Sequence, residues 1–135
     1  MGLPVMFAAM VMMAPLDPGA DQVALKQLFK DGVDTAFVQR PPERNGVVRI
    51  WMGATCLSII GVREPSGANA AYRLFWSEAA IVPTSDDLVV AVSGFKPAEE
   101  QTLEHPTLFR FRDAQTAETA RLAMTRLKAA CTPPR

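Results

Sequence analysis

The chain has 135 residues, 49% of them hydrophobic and 21% charged, with 14 Lys and Arg against 14 Asp and Glu. That length suits one domain with a real core, unaided by metal or many crosslinks. The zero net charge excludes a molecule steered as a whole toward polyanions, and no nucleic-acid motif is present.

Residues 1–20, MGLPVMFAAMVMMAPLDPGA, carry no charge from Leu3 to Leu16. That run is shorter than the roughly 20 apolar residues of a bilayer span and matches the apolar region of a secretory signal peptide. Two features depart from the pattern: no Lys or Arg precedes the run, and Pro18 stands two residues before Ala20. The alternative is a buried N-terminal element of a cytoplasmic protein. Against it, the Met and Pro spacing gives neither a helical stripe nor strand alternation. The expectation is a signal peptide over 1–20 and a single α+β domain over 21–135, periplasmic or secreted, with no transmembrane span in the mature chain. Retention of residues 1–20 would place the protein in the cytoplasm.

Asp21 suits an N-cap, and DQVALKQLFKDGVDTAFVQ places Leu25, Leu28, Phe29, Val33, Ala36 and Phe37 at helical spacing. Gly32 weakens this helix by roughly 1 kcal/mol relative to Ala, and Pro41–Pro42 must end it. After Asn45–Gly46 the period changes. VVRIWM, ATCLSIIGV, AAYRLFWS, DLVVAVSG and TLFRFR are short segments rich in β-branched and aromatic residues. REPSGAN (63–69) predicts a hairpin turn, PTSDD (83–87) a second turn after Ile81–Val82, and GFKPAEEQTLEHP (94–106) a surface loop. Asp113 then caps a final helix whose apolar stripe runs Ala117, Ala120, Met124, Leu127, Cys131. The predicted fold is α+β: an N-terminal helix, a curved antiparallel sheet of five to six strands, and a C-terminal helix packed on the sheet.

Candidate chemistry is sparse. Two Cys and one His cannot complete the usual four-ligand zinc site, so no metal or cofactor is assigned. With Cys56 in a predicted strand and Cys131 on the inward stripe of the last helix, a disulfide is geometrically natural, and export favours it. Such a bond contributes about 4 kcal/mol in the chain-entropy model. His105 lies in a predicted loop beside Glu104. Ser58, Ser77 and Ser93 lack a nucleophile-elbow context, and the pairs Asp86–Asp87 and Glu99–Glu100 fall in turns. No catalytic residue is assigned.

One constellation invites binding. Strict alternation puts Arg49 with Trp51, Arg73 with Phe75, and Arg110 with Arg112 on one side of their strands. Guanidinium forks beside aromatic platforms suit phosphate, carboxylate or nucleobase ligands. The expected function is therefore a small exported non-catalytic binding or accessory domain that recognises an anionic small molecule or a protein partner through this face. The alternative is a pocket protein holding an apolar or amphipathic small molecule between sheet and helix.

Overall fold

The computed structural model describes residues 16–31, 36–40, 44–97 and 105–133. Residues 1–15, which hold most of the expected signal peptide, lie outside that set, as does the 98–104 part of the predicted loop. Helix α1 spans Pro18–Asp31. Eight strands follow: β1 Ala36–Arg40, β2 Arg44–Ala54, β3 Leu57–Arg63, β4 Asn69–Phe75, β5 Ala80–Val82, β6 Val89–Ser93, β7 Lys96–Pro97 and β8 Thr107–Arg110. A short 3-10 turn, Trp76–Glu78, separates β4 from β5, and helix α2, Ala114–Cys131, ends the fold. The strands form one open antiparallel sheet in the order β5-β6-β8-β1-β2-β3-β4-β7.

The α+β architecture is the one predicted, with eight strands among the described residues where five to six were read from sequence; two of them fall outside the predicted strand segments. One is β7, two residues inside the predicted loop. The other is β1, which the helical stripe had absorbed as far as Phe37. The helix ends at Asp31, and Phe37 and Val38 favour extended backbone. The start also differs. Asp17, not Asp21, caps α1: its Oδ1 accepts the Ala20 N–H at 3.1 Å, and Pro18 takes the first helical position, where a missing N–H costs nothing. Asp21 is instead buried, and its Oδ1 accepts from Arg126 Nε of α2 at 3.3 Å.

Other local signals act as expected. Gly67, with φ +89°, makes the β3–β4 turn, closed by Gly67 N–H to the Glu64 carbonyl at 2.9 Å. Asp113 caps α2 by accepting the Thr116 N–H at 2.7 Å. That bond holds the Asp113 carboxyl below its ordinary pKa, with Arg112 adding a smaller effect in the same direction. Ala117, Ala120, Met124 and Leu127 are all buried along the predicted stripe.

Both helices lie on the same side of the sheet, and an aromatic cluster joins them to it. Phe29 of α1 stacks on Trp51 of β2 with centroids 4.6 Å apart, and meets Phe109 and Phe111 edge-on. The disulfide Cys56–Cys131 forms as predicted, with Cα atoms 5.6 Å apart. Cys56, however, belongs to a turn and not to a strand. Ala54 pairs with Leu57, leaving Thr55 and Cys56 as a two-residue loop, and Thr55 takes a left-handed φ of 53° that a β-branched residue adopts at a cost.

A buried amide holds this turn. Gln22 of α1 donates from Nε2 to the Leu57 carbonyl at 3.1 Å and to the Thr55 carbonyl at 3.4 Å. Its Oε1 accepts from Trp51 Nε1 at 3.1 Å and from Ser58 Oγ at 2.8 Å, while Ser58 Oγ accepts from Trp76 Nε1 at 2.8 Å. Every donor and acceptor of the Gln22 amide is thereby used. Gly53 leaves room for it, since a Cβ there would stand 1.9 Å from Gln22 Oε1. Gln22→Ala should cost about 2–4 kcal/mol, because it strands the Trp51 N–H and loosens the turn. Urea unfolding measures this, and a loss below about 0.5 kcal/mol would show that the network is dispensable.

Candidate functional site

The helices leave one face of β2–β3–β4–β7 uncovered, and the cross-strand register defines its rows. One row is Val47–Arg63–Asn69, the next Ile50–Gly61–Ala71, then Met52–Ile59–Arg73–Lys96, and last Ala54–Leu57–Phe75. On the opposite face Val48, Val62, Trp51, Ile60, Tyr72, Leu74 and Ser58 are buried.

A bulge in β2 decides which residues reach the outer face. Val48 pairs with Val62 and Ile50 with Gly61, so Arg49 is an extra residue with no partner of its own in β3. Alternation through VVRIWM predicted Arg49 with Trp51 outside and Ile50 with Met52 inside. The bulge shifts the parity: Ile50 and Met52 point outward, 53% and 51% exposed, and Arg49 remains exposed beside them. Trp51 turns inward to Phe29 and Gln22, so it is a core residue and no binding platform.

The remaining predicted residues divide. Arg73 and Phe75 do share the outer face. The Arg73 guanidinium carbon lies 6.0 Å from the Phe75 ring centroid, and Lys96 Nζ lies 5.1 Å from it. Lys96 also approaches Glu78 at 3.9 Å. Arg110 is on the same side of the sheet but belongs to another neighbourhood. It pairs with Ala36 of β1, which pairs with Val47, leaving it three strand spacings, about 14 Å, from Arg63. Its Nη1 donates to Asp86 Oδ2 at 2.9 Å. Asp86 is held below its ordinary carboxyl pKa, first by the Leu88 N–H and further by Arg110. Arg112 falls past the end of β8 and approaches Asp113 at 4.0 Å, at the start of α2.

Two basic residues that strand alternation did not single out complete the face, Arg63 at the end of β3 and Lys96 of β7. The sequence held a signal for both. No strand contains an Asp or Glu, whereas the strands together hold six Arg and one Lys. The carboxylates among the described residues reside in helices, turns and loops. A chain with zero net charge therefore has a sheet of one sign. Arg49 and Arg63 have no ion-pair partner among the described residues.

Elsewhere, a cleft of about 480 Å3 opens between the β5–β6 hairpin and the first turns of α2. Apolar Ile81, Val90 and Ala117 line it together with polar Asp86, Glu118 and Arg121. His105 is exposed beside Pro106. Among the described residues no group of three or more His, Cys, Asp or Glu is placed to hold a metal ion, and no helix is long and apolar enough to cross a membrane. Compared with known proteins, the chain matches no family model, no curated protein and no solved structure.

Proposed function

We propose that the protein is an exported, disulfide-stapled, non-catalytic binding domain that recognises an anionic partner through the outer face of β2–β3–β4–β7. The observation that carries this reading is the segregation of charge: a sheet face with Arg49, Arg63, Arg73 and Lys96 and no carboxylate in its strands. Phe75, flanked by two cations, supplies the aromatic platform that Trp51 does not. Exposed guanidinium groups pair with carboxylate or phosphate oxygens in fork geometry, and their shared sign raises the local concentration of anions.

The test is binding to immobilised poly-glutamate at low salt. The variant with Arg49, Arg63, Arg73 and Lys96 all changed to Ala should bind at least tenfold more weakly while keeping its circular dichroism spectrum. An Arg112→Ala, Arg121→Ala variant should bind as the parent does. Equal affinity of the four-site variant and the parent would overturn the reading.

The disulfide fits an oxidising compartment and supports export. Removal of residues 1–20 as a unit would take away Asp17 and the first turn of α1, so we place processing upstream of Asp17. The cleft beside α2 favours a second reading, a site for a small apolar or amphipathic molecule, because aliphatic and polar side chains line it together. Mass spectrometry of protein isolated from its host, under non-reducing native conditions, addresses these points together. A chain shortened ahead of Asp17 and lighter by two hydrogens is expected. Retention of Met1 would sink processing, and free thiols would sink the staple. A co-purified small molecule, displaced by an Ala117→Trp substitution in the cleft, would support the second reading.

A further inference from the structure

We propose that the occupant of this face is an anionic lipid bilayer, with Ile50 and Met52 entering the interfacial layer and the surrounding cations pairing with headgroup phosphates. The inference rests on the basic-face reading above and names its partner. Its starting point is the bulge at Arg49, which turns two aliphatic side chains out of the core and leaves each about half exposed. They occupy neighbouring rows of the face. Arg63 lies in the row on one side, Arg73 and Lys96 lie in the Met52 row itself, and Arg49 sits beside them in the bulge. Half-buried Leu57, Ile59 and Phe75 extend the apolar surface between the cations.

The aliphatic centre distinguishes a bilayer from an acidic polypeptide. A folded partner would have to present pockets fitted to Ile50 and Met52, because binding energy concentrates in well-packed, desolvated anchors. A headgroup layer accepts protruding aliphatic side chains without a matching shape and gains from the basic residues around them. Long Arg and Lys side chains can lay their stems along apolar surface and keep the charge at phosphate level. The face spans three strand spacings from β2 to β7, about 14 Å, wide enough to meet several headgroups at once. Carboxylates are absent from its strands, and Glu78, in the turn after β4, approaches Lys96 at 3.9 Å. The neutral whole-chain charge is no obstacle, since attraction acts over roughly 8 Å at physiological ionic strength and is set by the nearest charges.

Flotation of the full chain with vesicles tests this directly. The parent should float with vesicles of phosphatidylcholine and phosphatidylglycerol at 7:3, and remain in solution with phosphatidylcholine alone. Each surface basic residue contributes about a fivefold factor to partitioning. Arg49→Ala with Arg63→Ala should therefore lower the partition coefficient roughly 25-fold. Ile50→Ser with Met52→Ser, which leaves the charge intact, should lower it severalfold. Equal partitioning of that apolar variant and the parent would overturn insertion, and failure of the parent to float with the anionic vesicles would overturn the bilayer. Poly-glutamate binding without flotation would leave the basic face standing with a polypeptide as its partner. Loss of both would remove the basic-face reading as well.

Discussion

The Gln22 side chain is the contact on which the arrangement of α1, the central strands and the β2–β3 turn depends. A single amide replaces water for the Trp51 indole, for the Ser58 hydroxyl and for two backbone carbonyls at the β2–β3 turn. Trp51 meets it directly, and Trp76 is reached through Ser58. Buried indole N–H groups without such acceptors would carry the full cost of desolvation. The network also makes tolerable the left-handed backbone of Thr55, because a costly conformation persists where several contacts determine it. Gly53 belongs to the same design through an absence, since any side chain there would occupy the space of the amide.

The second determining feature is one surplus residue in β2. Without the bulge, Arg49 and Trp51 would project together, and two hydrophobic side chains would be available to the core in place of an indole. With it, the indole completes the aromatic cluster and the aliphatic pair is surrendered to solvent. Exposing Ile50 and Met52 costs burial that the same strand could have had, on the order of a kcal/mol or more for each.

Much of the fold was legible because its signals are local. The Asp113 cap, the Gly67 turn and the 3,4-spaced stripe of α2 each depend on a few neighbouring residues. The cysteines were legible by elimination, since two thiols on facing elements had little other chemistry open to them. Three features escaped for three physical reasons. The switch from α1 to β1 hides in a stretch where Ala36 and Phe37 fit a helical stripe, so periodicity carried the helix too far. The bulge at Arg49 is set by pairing with β3, a non-local event with no mark in VVRIWM. Gln22 reads as an ordinary polar helix residue, and its role exists only once Trp51, Ser58 and the β2–β3 turn converge on it. Of the six candidate binding residues, Arg49, Arg73 and Phe75 lie together on the uncovered face. Trp51 turned inward through the bulge, while Arg110 and Arg112 are engaged by acidic neighbours elsewhere.

The disulfide divides the chain in a way that its two endpoints do not reveal. With a sequence separation of 75 between Cys56 and Cys131, the bond closes a covalent ring that contains β3 through β8 and α2. A single cut in the β3–β4 turn or in the segment between β7 and β8 opens that ring without releasing a fragment. Helix α1, β1 and β2 form a tail outside it, and everything that keeps this tail in place, from strand pairing to the Gln22 amide, is noncovalent. Resistance to proteolysis is therefore distributed unequally: the ring survives one break as a connected object, and the tail is secured only while its contacts hold.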